Sequence, residues 1–121
     1  MTIELDVKVP SLNEYISKCR RNPYEAAKFK REKQSEIAVY LARMPRFEKP
    51  LRIDFTWIEE NRKRDLDNVC GCGRKFILDT MVEMGKIPDD SRRFIRGFSD
   101  TFEYGKKAKV ILHIEEVDER S

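Results

Sequence analysis

Two aspartates one residue apart, Asp65 and Asp67, follow directly on three bases, Arg62, Lys63 and Arg64. In an extended segment, residues two apart point the same way, so the two carboxylates would project side by side. Like charges held together are unfavourable unless a positive charge lies between them. The neighbouring bases or a divalent cation can supply that charge, and oxygen-only ligands favour Mg²⁺ or Mn²⁺ over zinc. The pattern leaves a metal site and a neutralised surface pair open.

A second acidic pair, Asp89 and Asp90, follows the GKIP segment that begins at Gly85. A helix between the two pairs leads the chain away from the first pair, and the segment after it can bring the chain back. One expectation is therefore a site shared with Asp65 and Asp67. The alternative is that the second pair belongs to a turn before Ser91, where aspartate is common.

Other catalytic chemistries lack the residues they need. The only histidine, His113, falls on the opposite parity to the apolar residues of its predicted strand, so we expect it on the surface. No motif supports a Ser-His-Asp or Cys-His arrangement, and there is no glycine-rich phosphate loop. Carboxylates and bases together suit phosphodiester hydrolysis, in which a metal polarises the phosphate while basic side chains hold the anionic backbone.

Three cysteines, Cys19, Cys70 and Cys72, are odd in number, and two of them are separated by a single glycine. We therefore expect free thiols in a reducing compartment. Zinc binding would need Cys19 and His113 to converge on a Cys-Gly-Cys segment that lacks the usual two-residue spacer. No export signal or long apolar segment is present, so we predict a cytoplasmic protein that makes no membrane contact.

Positive charge is concentrated in one part of the chain. The formal net charge is only +3. Nine bases nevertheless lie between Lys18 and Arg46 against three glutamates. Such a concentration suits a surface that binds a polyanion, and a solvated helix face is the alternative.

The 121 residues are enough for one domain with a real core, so we predict a single domain over residues 1–121. The hydrophobic patterns predict the order β-α-β-α-β-β and an α+β fold, with a single mixed sheet and helices packed on one face. Residues 10–22 are predicted to form a loop, and residues 104–106 a turn between the last two strands. The predicted elements cover residues 3–9, 22–45, 51–57, a second helix around 76–84, 94–102 and 109–117.

Four sequence segments, RDLDNV, RKFILDTMVEMG, IPDD and RRFIRGFSD, occur in an order that resembles the RusA family of Holliday-junction resolvases, small endonucleases common in prophages. The N-terminal VPSLNEY is similar to the opening segment of that family, so the resemblance covers nearly the whole chain. It implies a RusA-like fold and a homodimer with two paired active sites. A two-fold dimer matches the two-fold symmetry of a four-way DNA junction.

The resemblance also implies roles for particular residues. Asp65, Asp67 and Asp90 would bind the catalytic Mg²⁺, with Mn²⁺ as the alternative, and Lys75 would be the active-site lysine that touches the scissile phosphate or its attacking water. Supporting roles fall to Asn68 and Asp89, and a DNA contact to Asn13. The bases predicted to bind DNA are Arg20, Arg21, Lys28, Lys30, Arg62, Lys63, Arg64 and Arg74.

The chain departs from the family pattern at one place. The interval between the aspartate pair and Lys75 is longer than in the best-known member, and the additional residues include the CGCG stretch at positions 70–73. Arg74 is therefore an alternative to Lys75. The glycines would allow this stretch to approach DNA closely, but we predict a flexible surface turn.

The predicted function is Mg²⁺-dependent cleavage of four-way junctions by paired symmetric hydrolysis, as in DNA recombination and repair, without a small-molecule cofactor. Three alternatives stay open. The first is a DNA-structure-binding protein that does not cut, and the second is a nuclease for other branched or nicked DNA. The third is a dimeric scaffold whose charges only solvate it.

Overall fold

In the computed structural model, which describes residues 1–118, three helices cover one face of a four-stranded mixed sheet. The α+β fold with a single mixed sheet is therefore confirmed. The elements in chain order are β1 (Thr2–Leu5), α1 (Leu12–Arg21), α2 (Pro23–Leu41), β2 (Leu51–Glu59), α3 (Leu66–Glu83), β3 (Ile95–Tyr104) and β4 (Lys109–Glu116).

The strands lie in the order β1-β4-β2-β3. β2 pairs parallel with β3 and antiparallel with β4, and β1 pairs antiparallel with β4. The last two strands are therefore not neighbours, because β2 lies between them. The parallel pair requires a crossover, and α3 provides it by running back along the sheet from the end of β2 to the start of β3.

The core lies between the helices and one face of the sheet. Alternate residues of β2 (Leu51, Ile53, Phe55 and Trp57) are at most 1% exposed, because the helices cover this face. Arg52, Asp54 and Thr56 lie on the other face, which is more exposed. His113 also lies on this open face, where it is paired with Asp54 of β2, so its predicted surface position is confirmed.

Helix α1 replaces the loop predicted for residues 10–22, and the observed order is β-α-α-β-α-β-β. The helix begins with a capping box: Ser11 Oγ accepts a hydrogen bond from Glu14 N at 3.2 Å, and Ser11 N donates to Glu14 Oε1 at 3.3 Å. No residue of α1 is buried. The loop prediction was wrong although two helix signals were present, the SxxE capping pattern and apolar residues at helical spacing, namely Leu12, Tyr15, Ile16 and Cys19.

Helix α2 begins where the sequence predicted, with Asn22 as N-cap and Pro23 in the first helical position. Asn22 Oδ1 accepts a hydrogen bond from Glu25 N at 2.7 Å. The helix ends at Leu41, before the predicted stop at Pro45. Gly85 follows α3 with φ +72°, so the prediction that a left-handed glycine ends this helix is confirmed.

The CGCG stretch at positions 70–73 is helical, so the predicted flexible surface turn is wrong. Gly73 faces the sheet, and a Cβ built on it would lie 2.6 Å from Trp57 Cζ3. Burial of Cys70 and Cys72 against the core adds to this close packing. Tertiary contacts therefore outweigh the low helix propensity of two glycines, which is about 1 kcal/mol per residue relative to alanine.

Within residues 1–118, no helix combines the length and the apolar character needed to cross a membrane.

Candidate functional site

The two aspartates of the RDLDN motif lie at the N-terminus of α3. The helix begins at Leu66, so the expectation of an extended segment is wrong. Asp65 is the N-cap residue, and its Oδ1 accepts hydrogen bonds from the backbone amides of Asp67 at 2.9 Å and Asn68 at 3.4 Å. Asp67 and Asp65 are both exposed, and Asn68 is partly buried. The helix dipole favours carboxylates at this end, so no neighbouring base is needed to hold them together.

Arg64 is engaged inside the protein. Its guanidinium makes two hydrogen bonds to the Glu59 carboxylate, at 2.6 and 2.8 Å, and Nη1 donates to Val9 O at 2.6 Å. A further contact at 3.2 Å joins it to Glu14 of α1. Burial acts to lower the pKa of Arg64, but the bonds to Glu59 and Glu14 outweigh this and raise it. Arg64 therefore fixes α1 and the β1–α1 connection to the end of β2.

The other two bases of the motif remain on the surface. The Arg62 guanidinium lies 5.2 Å from the centre of the Tyr104 ring, and Lys63 is exposed. The backbone amide of Lys63 donates to Asn61 Oδ1 at 2.9 Å, which shapes the turn before α3. Arg62 and Lys63 are thus available to a phosphate, whereas the guanidinium of Arg64 is already occupied.

Lys75 lies on the exposed side of α3, two turns after Asp67. Eight residues of helix separate them by about 12 Å along the axis. The extra residues before Lys75 form helix rather than a loop, and this keeps the lysine on the same side as the aspartates. Gly71 lies midway, and a Cβ built on it would meet no atom within 4 Å.

A second lysine lies beside Lys75. Lys30 of α2 contacts Asp79 Oδ2 at 2.9 Å, and Lys75 Nζ lies 3.6 Å from the same oxygen. The hydrogen bond to Asp79 raises the pKa of Lys30, so this ammonium stays charged at neutral pH. Asp79 is not among the residues predicted for the site, although its i, i+4 spacing from Lys75 is a recognisable signal.

Arg74 points away from Lys75 towards β3. Its guanidinium forms an ion pair with Asp100, and it lies 4.4 Å from the centre of the Phe98 ring. Asp100 also accepts a hydrogen bond from Trp57 Nε1 at 2.8 Å. Arg74 thus ties α3 to the sheet, and Lys75 is the base that α3 presents on the side of Asp67.

Asp89 and Asp90 lie at the opposite end of the sheet from Asp65 and Asp67. Helix α3 has 18 residues and runs back along β2, a length of about 27 Å. Asp90 follows this helix and precedes Phe94, whose carbonyl accepts a hydrogen bond from Leu51 N at the start of β2. The segment after α3 therefore does not return Asp90 to the first pair within one chain.

The Asp89 carboxylate belongs to a turn. It accepts hydrogen bonds from Ser91 Oγ at 2.5 Å and from the Ser91 backbone amide at 2.9 Å. These two bonds lower the pKa of Asp89. Within a single chain Asp89 is therefore a turn residue, which is the alternative predicted for the second acidic pair. Asp90 is exposed beside it.

The predicted DNA-contacting residues of α1 share one exposed surface. Asn13, Arg20 and Arg21 line a shallow cavity together with Ile16 and Ser17. Lys28 lies in a neighbouring groove between α1 and α2, next to Lys18, Glu25, Phe29 and Glu32. The predicted contacts on α1 and α2 therefore occupy adjacent parts of the helical side of the molecule.

The described part of the chain contains no cluster of three possible metal ligands. Among residues 1–118, no group of three or more His, Cys, Asp or Glu side chains is placed to hold a metal ion. Cys70 and Cys72 are buried on the helical side, whereas His113 lies on the open face of the sheet, so the arrangement needed for zinc is not formed. Asp65 and Asp67 alone provide two carboxylates. Mg²⁺ is commonly held by one or two carboxylates plus waters and substrate phosphates, so this pair fits the ion.

Comparison with protein-family models and with curated proteins gave no match to the chain.

Proposed function

We propose that this protein is a Mg²⁺-dependent endodeoxyribonuclease that resolves four-way DNA junctions, as the RusA-like sequence segments imply. One observation carries the proposal: two exposed carboxylates at the start of α3 are followed on the same side of the helix by Lys75. Carboxylates that hold a cation and a base that holds phosphate are the elements of metal-assisted phosphodiester hydrolysis. The basic surface of α1 and α2 supports it, because DNA affinity depends on phosphate contacts.

In this proposal Asp65 and Asp67 hold the ion, and Mn²⁺ can replace Mg²⁺. When bound, the ion supplies positive charge to the scissile phosphate and lowers the pKa of a bound water. Asp65 retains its N-cap hydrogen bonds, which fix the direction of its second oxygen. Lys75 contacts the phosphate from the next turns of the helix, and Asn68 supports the first turn.

The proposed protein is a homodimer, and the dimer gives Asp90 its role. Within one chain Asp90 lies about the length of α3 away from the first pair. In a two-fold dimer, the end of the sheet near Asp90 in one copy would pack against the end near Asp65 and Asp67 in the other copy. This would bring Asp90 of one copy to the carboxylate pair of the other. Each active site would then contain residues from both copies, and neither copy alone would cut.

Cleavage of a synthetic four-way junction tests the proposal, with linear duplex of the same sequence as the control substrate. We expect paired symmetric nicks in the junction with Mg²⁺, none with EDTA, and none with Asp67→Asn. Junction binding by Asp67→Asn should equal or exceed that of the wild type, because one negative charge near the DNA backbone is removed. Asp67→Asn that cuts at the wild-type rate would show that the metal assignment is wrong.

Mixing two inactive variants tests the shared site. Asp67→Asn and Asp90→Asn should each be inactive alone. In a mixed dimer with sites built from both copies, one site would carry both substitutions and the other would carry neither, so partial activity should return. If each site lies within one chain, every site in the mixed dimer has a substitution, and activity should stay absent.

A non-cutting DNA-structure-binding protein is the second candidate. The observation that favours it is that residues 1–118 contain no group of three metal ligands. Such a protein would use the same basic surface, and its binding would not require Mg²⁺. Tight junction binding without cleavage in either Mg²⁺ or Mn²⁺ would support it, and cleavage of flaps or nicked duplex instead of junctions would indicate a nuclease of other specificity.

A further inference from the structure

Helix α3 contains two glycines, and only one of them is explained by packing. Gly73 lies against Trp57, where a side chain would have no room. Gly71 is exposed, and a Cβ there would meet nothing within 4 Å. A glycine inside a helix is about 0.5–1 kcal/mol less favourable than alanine. The fold alone therefore gives no reason for glycine at position 71.

Gly71 lies between two charged groups with opposite roles in the proposed site. Asp67 is four residues before it and Lys75 four residues after it, so the three positions lie on successive turns of α3. A glycine here leaves the helix backbone bare between the carboxylate and the ammonium. Close approach of a ligand to the backbone is a main reason for glycine at functional positions.

Two lysines follow Gly71 along α3: Lys75 lies one turn further, and Lys30 of α2 contacts Asp79, which lies two turns further. Lys30 and Lys75 both contact Asp79 Oδ2, so two ammonium groups share one carboxylate. Glu83 adds a second negative charge that acts on Lys30, whereas the contact of Lys75 to Asp79 is the longer of the two, at 3.6 Å. The side chain of Lys75 is 63% exposed and that of Lys30 is 27% exposed, so an anion from solvent can reach both. A phosphate is an anion of suitable charge.

We propose that Gly71, Lys75 and Lys30 form a track for one phosphodiester strand of DNA, an inference that rests on the proposed nuclease function. The strand runs along α3 over the bare backbone at Gly71, with its phosphates held by Lys75 and Lys30. Asp79 is a positioning residue that holds the two ammonium groups side by side. The track directs the strand towards Asp67, which lies one turn from Gly71.

Equilibrium binding of a labelled four-way junction in EDTA tests the track without any cleavage. The first variant is Gly71→Leu, whose Cβ meets no atom within 4 Å and which raises helix propensity. We expect its thermal stability to equal or exceed that of the wild type and its affinity to fall by at least about tenfold, as loss of a phosphate contact or two would cause. Thr101→Leu, at an exposed position on the sheet, is the matched control and should bind like the wild type.

Substitution of the second lysine provides an independent measurement. Lys30→Gln should weaken binding and reduce the slope of log affinity against log salt by about 0.7–0.9, the value for one phosphate contact. Lys49→Gln removes the same charge from an exposed loop position and should leave the slope unchanged. The slope separates a lost phosphate contact from a general loss of stability.

Two failures can be told apart. If the wild type binds the junction and both Gly71→Leu and Lys30→Gln bind equally well, the track is wrong, and cleavage of the four-way junction still decides the proposed nuclease function. If the wild type binds no DNA at moderate salt, both proposals are wrong.

Discussion

Arg64 and Glu59 form a two-bond ion pair at the end of β2, and their side chains are only 15% and 9% exposed. Arg64 also bonds to the Val9 carbonyl and to Glu14, so one guanidinium joins three parts of the chain. The base that directly precedes the aspartate motif is thus a structural residue. Its role is to hold α1 against the sheet next to the start of α3.

Replacing one partner of this pair should destabilise the protein strongly. Arg64→Ala leaves the Glu59 carboxylate with its charge uncompensated in a nearly buried position, and such losses are about 3–5 kcal/mol. Urea unfolding measures the change. The matched control is Arg46→Ala, which breaks the exposed ion pair between Arg46 and Glu48 and should change stability by about 0–1 kcal/mol. Equal effects of the two substitutions would contradict the structural role of Arg64.

The two glycines of α3 should respond in opposite directions to the same substitution. Gly73→Ala places a methyl group 2.6 Å from Trp57 Cζ3 and should lower the free energy of unfolding by about 1–3 kcal/mol. Gly71→Ala places its methyl group in open space and should raise that free energy by about 0.5–1 kcal/mol. Thermal unfolding followed by the fluorescence of Trp57, the only tryptophan, measures both. A stabilising Gly73→Ala would show that the helix does not pack on Trp57 this closely.

Asp65 should have two separable roles. Asparagine caps helices as well as aspartate does, so Asp65→Asn should keep stability near that of the wild type while cleavage is lost. Asp65→Ala also removes the bonds to the amides of Asp67 and Asn68 and should lower stability by about 1 kcal/mol. Nuclease assays and urea unfolding on the same preparations measure the two effects. Full activity in Asp65→Asn would contradict its assignment as a metal ligand.

Thiol reactivity should distinguish the three cysteines. Cys19 is exposed, and Cys70 and Cys72 are buried. Burial raises the pKa of Cys72 to about 11, which keeps it protonated and unreactive at pH 8.5. We expect iodoacetamide to modify one thiol of the native protein at this pH and three in denaturant. Cys19→Ser should leave no reactive thiol in the native protein, and rapid modification of Cys72 would contradict its burial.

The same pKa shift predicts a loss of stability in alkali. A cysteine in the unfolded chain ionises at about pH 8.5. Between that pH and about 11, the folded state therefore binds more protons at Cys72 than the unfolded state, and stability falls as pH rises. Urea unfolding at pH 8 and pH 10.5 should show a smaller decrease for Cys72→Ala than for the wild type. Equal decreases would show that Cys72 does not contribute.

Arg20 and Arg21 should contribute to DNA affinity without contributing to stability, because they lie on the exposed surface of α1. The double variant Arg20→Gln/Arg21→Gln should bind junction DNA more weakly, with a salt slope reduced by about 0.9 for each lost contact. Arg43→Gln/Lys49→Gln makes the same charge change at exposed positions outside this surface. If the two double variants weakened binding equally, overall charge rather than the α1 surface would control affinity.

Elements with a clear local signal in the sequence were predicted correctly. The alternation in β2 and the caps of α2 were recognised correctly, since each has a local physical cause. Helix α1 could also have been predicted, because Leu12, Tyr15 and Ile16 are spaced as on one face of a helix. Tyr15 on that face contacts the rings of Phe29 and Phe76. The CGCG stretch was misread as a turn because its helical state depends on Trp57, which is distant in sequence.

The site was predictable in its residue types but not in its arrangement. The carboxylates and Lys75 are recognisable from the sequence, whereas the end of the sheet at which Asp90 lies depends on the parallel pairing of β2 with β3. A strand pattern alone does not give the partner or direction of a strand. Likewise, nothing local indicated that Arg64 would be buried with Glu59 while Arg62 and Lys63 stayed on the surface.

The strand order also limits how the chain can fold during synthesis. Within residues 1–118, β1 pairs with β4 alone, so β1 has no neighbour in the sheet until residues 109–116 have been made. The central strand β2 can pair with β3 earlier, but its other edge stays open until β4 emerges. Contacts this distant in sequence slow folding. On the ribosome, helices and the β2-α3-β3 unit should therefore form first, and the sheet should close only when the last strand has left the exit tunnel.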